Sequence, residues 1–286
     1  MHLSDQCVVG AARSEPPITS NLVTDAASAD RRFSGHRHLG WVIPILVALA
    51  VEIGFRTGLV SRLILPPPSE IATTLMELAG RDLHLHVLVS SARVLCGFAV
   101  GASLGLVLAI IVGLSLRAER LLDPTFQGLR AIPGLAWVPL LLLWLGIDET
   151  PKITMIAIGV FFPVYLNTVS GLRNVDRKLF EVGEIHGLGR AALVRRILLP
   201  GALPQVFVGL RVGLSLAWML VVAAELIAAT RGIGYLLTDG REISRPDIVL
   251  AAIVILGVVG KFSDSLVKKL EMRTLAWRDV LVTREA

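Results

Sequence analysis

Residues 181–200 read EVGEIHGLGRAALVRRILLP, a charged stretch between two apolar blocks at 152–172 (KITMIAIGVFFPVYLNTVSGL) and 203–229. Each block is about 20 residues or more, enough to cross a bilayer as a helix. The segment between them keeps an apolar pattern of its own. Val182, Ile185, Leu188, Ala192 and Val194 alternate with Glu181, Glu184, Arg190, Arg195 and Arg196. Gly187 and Gly189 divide it into two short helices set at an angle, and Pro200 and Pro204 mark the restart into the next span. A short amphipathic helix held between spans suits docking into a groove of another protein.

The rest of the chain agrees with a membrane setting. Of its 286 residues, 54% are hydrophobic and 18% charged, with mean hydropathy +0.70. Soluble domains lie nearer roughly 45–50% and about 25%. The fold class expected is all-α, a polytopic membrane protein with six transmembrane helices near 41–60, 85–114, 131–147, 152–172, 203–229 and 247–267. Residues 1–38 are polar and lack apolar periodicity, which predicts a disordered tail. The transmembrane domain is set at 39–270, with the loop of interest at 176–202, and a second tail at 271–286.

Lysines and arginines set the orientation. With the N-terminus inside, eighteen fall on the cytoplasmic side: four in the tail, three after the second span, six after the fourth and five at the end. Arg130 is one of the three after span two. Six fall outside. The bias predicts both termini in the cytoplasm, and the 176–202 loop with them. The net charge of +5 is topological on this reading and carries no implication of nucleic acid.

Polar residues within the spans are few. Gly97, Gly101, Gly105, Ala109 and Gly113 give span two a face without bulk, suited to close helix packing in lipid. Gly209, Gly213, Ala217, Val221 and Glu225 share a face of span five. Glu225 and Arg93 lie at comparable depth, and an ion pair between them competes with a place in a solute pathway. Glu52 and Arg56, four apart, neutralise each other. His84 and His86 lack a third ligand, so no metal site is expected and a solvated loop is. Asp148 and Glu149 read as a solvated outer turn. Two cysteines, Cys7 and Cys96, make no disulfide framework. Neither G-x-x-x-x-G-K-[ST] nor another catalytic signature occurs, so no enzyme activity is expected of this chain.

Glu181, then Gly187 six residues on, then nine residues before Ile197-Leu198-Leu199-Pro200, resembles the E-A-A-x-x-x-G-x9-I-x-L-P loop of ABC importer permeases. Val182 and Gly183 stand where the pattern has alanines. Arg130-Ala-Ile-Pro133, Phe162-Pro-Val-Tyr-Leu-Asn167-Thr168, Ala224-Glu225 and Gly232-Ile-Gly-Tyr-Leu236 extend the likeness to the sulfonate, taurine and nitrate branch of the binding-protein-dependent type I class, nearest its aliphatic sulfonate permeases. The resemblance implies the type I ABC importer permease fold in a bacterial inner membrane. It implies a homodimer with a second permease copy, two cytoplasmic ABC ATPase subunits and an extracytoplasmic solute-binding protein, all amid membrane lipids. ATP and Mg would be bound by the partner ATPase, with no cofactor in this chain. Glu181, Val182, Gly183, Gly187, Ile197, Leu199 and Pro200 would form the ATPase-coupling loop. For an anionic solute, Arg93, Asn167, Thr168 and Arg211 are the candidate donors, with Glu225 as Arg93's partner. Taurine or nitrate carriage by the same machinery, or ATP-independent secondary transport, are the alternatives. The second is disfavoured because it leaves the loop pattern without a purpose.

Overall fold

The computed structural model describes residues 42–59, 61 and 65–277. The 1–38 tail with Cys7, and also Trp41, Arg62 and the residues from Arg278 on, lie outside the described residues. The chain forms two compact units, up to Leu59 and from Val60. The first carries α1 (Val42–Arg56), about 22 Å long at 1.5 Å per residue. Glu52 accepts a 3.0 Å hydrogen bond from Arg56 one turn on. Gly58, at φ 77°, ends the helix.

Among the described residues of the second unit, the regular elements are helices. Its elements are α2 (Pro68–Ala79), α3 (Leu83–Leu114), α4 (Leu116–Arg130), a 3-10 turn at Gly134–Trp137 and α5 (Val138–Leu145). There follow α6 (Glu149–Arg173), α7 (Arg177–Ile185), α8 (Arg190–Leu193) and a π-turn at Val194–Leu198. The chain closes with α9 (Leu199–Ala228), α10 (Ile233–Glu242) and α11 (Pro246–Thr274).

Among the described residues, four helical segments are long and apolar enough to cross a membrane: α3, α6, Ala191–Ile227 and α11. The expected third span is not one straight helix. Pro133 interrupts the ladder after α4, and the chain turns by 91° into the 3-10 turn and α5. Twelve residues of helix remain beyond the elbow, too few to cross alone.

The core is a stack of α3, α6 and α9 with α6 in the middle. The small-residue stripe of α3 faces α6 within the subunit. A Cβ on Gly101 would run into the Ala157 backbone carbonyl, so only glycine permits this approach. On the other side, Val160 and Val164 of α6 are fully buried against the Gly213, Ala217 and Val221 face of α9. Where lipid replaces water, such shape complementarity supplies the cohesion. α11 closes the stack through Ala251, Ala252 and Ile255, and Trp218 of α9 donates to Ser263 of α11 at 2.8 Å.

Candidate functional site

Two regions carry the polar residues singled out in the sequence, one at each end of the stack. The first is the 176–202 loop. Asp176 caps α7 by accepting from the Lys178 N–H at 2.9 Å. At the other end Gly187 takes φ +71°. The Leu188 N–H reaches Gly183 O at 3.0 Å and the Gly187 N–H reaches Glu184 O at 2.9 Å. This double closure is a Schellman motif, and it explains a glycine at 187: the left-handed residue just past a helix end favours one.

The cap turns the chain so that α7 leans on α8 and the π-turn. Gly183 is buried, and a Cβ there would meet the side-chain ends of Leu193 and Ile197. Leu179, Val182 and Ile185 then point away, 48%, 50% and 82% exposed, and their spacing of three places them along one face. Glu181 is exposed beside them. The loop therefore presents a bare apolar ridge with a carboxylate at its edge.

The expected restart at Pro200 does not occur. Helix runs unbroken from Ala191 to Ile227, 37 residues or about 55 Å. Pro200 cannot donate and its ring crowds the carbonyl four residues back. The ladder accommodates this by widening, with the Leu199 N–H bonded to Val194 O five residues back, a π-turn. Leu198 and Ala202 are buried against Leu172 of α6, with Ile110 of α3 alongside. The loop's root is thus anchored in all three core helices.

The second region is a buried knot at the opposite end of the same rod. Arg93 is 5% exposed and Glu225 1%, and they pair at 2.8 Å. The Arg93 guanidinium also binds both carboxylate oxygens of Glu149 at 2.6 Å and donates to Arg231 O at 2.7 Å. Glu225 further accepts from Ser90 Oγ at 2.7 Å and from the Gly234 N–H at 2.7 Å. Ser90 Oγ accepts from the Ile233 N–H at 2.8 Å, and His86 Nδ1 from the Gly232 N–H at 3.0 Å. Gly232, at φ +135°, leaves room for the Glu225 carboxylate, into which a Cβ would project.

This arrangement corrects two expectations. Glu149 is not part of a free turn but the second counter-charge of Arg93, also bonded by Lys152 at 3.0 Å. His84 and His86 begin α3 instead of forming a loop. No group of three potential metal ligands occurs among the described residues.

Of the remaining pathway candidates, two are engaged with protein. Arg211 binds Asp264 at 3.0 Å and approaches Glu271 at 3.6 Å, joining α9 to α11. Asn167 donates to Pro163 O at 2.8 Å. Thr168 is buried with no hydrogen-bond partner for its hydroxyl. A further polar contact, Thr74 to Asp247 at 2.7 Å, ties α2 to the start of α11, where Asp247 also raises the pKa of Arg245 by hydrogen bonding.

Comparison with known proteins adds a family. Residues 101–275 match the model described as "Binding-protein-dependent transport system inner membrane component". The chain is 41% identical over 258 residues to a putative aliphatic sulfonates transport permease protein of Bacillus subtilis (strain 168), covering 88% of this chain and 94% of the relative. It is 42% identical over 247 residues to the Escherichia coli (strain K12) protein of the same description, covering 86% and 94%. A taurine transport system permease protein of Escherichia coli is 34% identical over 225 residues, covering 77% and 82%. Among solved structures, an inward-facing conformation of the MetNI methionine ABC transporter superposes with TM-score 0.59 at 18% identity, over 67% of this chain and 95% of that one. At that identity the likeness speaks for the fold alone.

Proposed function

Because this chain belongs to the family of binding-protein-dependent transport system inner membrane components, we propose that it is the permease subunit of an ATP-driven importer for a small anion, an aliphatic sulfonate. It is a multi-pass membrane protein and a transport component. The observation that carries the coupling role is the bare ridge of Leu179, Val182 and Ile185 on a short helix fixed at both ends. An apolar ridge exposed beside a carboxylate favours a protein groove as its resting place.

In the proposed assembly two copies pair in the bacterial inner membrane, with termini and the 176–202 loop in the cytoplasm. Each loop rests on one ATPase subunit, which binds the ATP and Mg. A solute-binding protein delivers the anion from outside. Gly183, Gly187, Ile197, Leu199 and Pro200 shape the seat of the coupling helix, while Glu181 and Val182 face the ATPase. Closure of the ATPases displaces α7, and the seat on Leu193 and Ile197 passes the displacement to the rod. A ligand or motor biases only states that differ in contacts, and the rod gives the two membrane faces such a difference.

The test is sulfonate uptake in cells lacking the companion ATPase. Uptake should vanish, and uptake that persists refutes the proposal. For the loop, Gly187→Pro and Glu181→Lys should leave the permease in the membrane but abolish co-purification with the ATPase. Intact co-purification removes the docking role.

A further inference from the structure

By sequence Arg130 is a cytoplasmic cation at a span end, yet the fold places it elsewhere. It lines a groove with Gly134 past the elbow, Ile158, Gly159, Phe162 and Pro163 of α6, and Leu216, Met219 and Leu220 of α9. These α6 residues stand 9 to 14 residues from the first residue of that helix and 10 to 15 from its last, about 13–17 Å from the nearer end. Arg130 ends α4 just before the 91° elbow, which leaves it beside the middle of α6.

A cation at such depth is costly unless it faces protein charge or a polar cavity. Several arginines in or beside the spans have counter-charges: Arg93 on Glu149 and Glu225, Arg211 on Asp264, Arg173 on Glu119, Arg245 on Asp247. Arg117, Arg120, Arg195 and Arg196 have none among the described residues, but they do not line this groove. Arg130 has no ion pair or hydrogen bond from its side chain among the described residues. Apart from it, the groove wall is apolar. Its volume of about 320 Å³ is at the small end of ligand pockets.

We propose that this groove is an anion subsite of the transport path: Arg130 holds a sulfonate head group, and Phe162, Leu216, Met219 and Leu220 take its alkyl chain. The inference rests on the importer reading and adds a location and a chemical class to it. A guanidinium stays charged at any working pH and offers parallel N–H donors to a multi-oxygen anion. A single cation at one end of an apolar groove matches a solute with one charged head and a short tail. Each methylene seated on that wall should strengthen binding roughly fourfold until the groove is full.

The test uses the permease–ATPase complex in phosphatidylcholine nanodiscs, without binding protein or anionic lipid. Ethanesulfonate, butanesulfonate and hexanesulfonate are titrated by saturation-transfer NMR. Binding should tighten along the series. Arg130→Gln should weaken all three at least tenfold, and Arg130→Lys should recover part of the loss. Met219→Trp should weaken hexanesulfonate far more than ethanesulfonate, a selectivity change that a general packing defect does not produce. Wild-type affinity in Arg130→Gln, or an equal loss for all chain lengths in Met219→Trp, overturns the subsite. Either result with uptake still ATPase-dependent leaves the importer standing, whereas ATPase-independent uptake removes the importer itself.

Discussion

Replacing Arg93 with methionine tests whether the buried knot holds these ends of the core helices together. The substitution keeps most of the side-chain volume and deletes the charge. Its partners are unequal. Glu149 is 50% exposed and keeps Lys152, so water and the lysine replace the arginine there at a cost of about 0–1 kcal/mol. Glu225 is 0% exposed and keeps only neutral donors, Ser90 Oγ and the Gly234 N–H. Removing one member of a buried pair costs about 3–5 kcal/mol, chiefly through the charge left behind, so that figure dominates. In the double variant Arg93→Met/Glu225→Gln the orphaned charge is gone. The glutamine oxygen still accepts from Gly234 and its amide donates to Ser90. The double variant should therefore be more stable than Arg93→Met alone by about 1–3 kcal/mol, the cost of one unsatisfied buried polar group. Unfolding by SDS in mixed micelles reads this through tryptophan fluorescence, with the buried Trp218 as reporter. The reasoning is refuted if Arg93→Met lies within about 1 kcal/mol of wild type, or if adding Glu225→Gln makes it worse instead of better.

Two alanine substitutions at glycines should differ sharply. At Gly101 the new methyl meets the Ala157 main chain, which cannot yield, whereas at Gly183 it meets the flexible ends of Leu193 and Ile197. Gly101→Ala should lose about 1–3 kcal/mol by overpacking and Gly183→Ala less than about 1, measured by the same unfolding titration. Thr74→Val removes the α2 hydroxyl that donates to the 4%-exposed Asp247. It should cost about 1–2 kcal/mol, seen as faster amide exchange in α2 with α6 unchanged.

The apolar blocks, the small-residue faces and the Glu225–Arg93 pair were legible in the sequence, because each rests on periodicity within one helix or on the cost of a lone buried charge. The loop was legible in its turn residue: a glycine needing φ > 0 marks a helix end wherever it falls. What escaped depends on contacts between distant segments. Glu149 looked like surface because it follows Asp148 in a short turn, and only the packing of α6 on α3 brings it under Arg93. Ser90 offered a hint, one helical turn before Arg93 and so on its face. Arg130 misled because hydropathy gives length without direction: a span bent at Pro133 puts its flanking cation inside. The proline at 200 misled differently, since a proline ends a helix only where the ladder cannot widen around it.

That widened turn bears on how force would travel. Between Leu199 and Ala228 the rod is regular helix pressed on α6 along its length, and a helix so buttressed moves as a body. Below it, at Val194–Leu198, the ladder is already loosened. Leu198 and Ala202 are packed with Leu172 beside it, so a displacement of α7 absorbed at the π-turn would have to disturb that seat. While that seat holds, a shift at the ridge has to appear some 40–50 Å away, where Glu225 is locked to Ser90, Arg93 and Gly234. Under the proposed coupling, the knot at one end would receive the shift and the seat at the other would keep the π-turn from acting as a hinge.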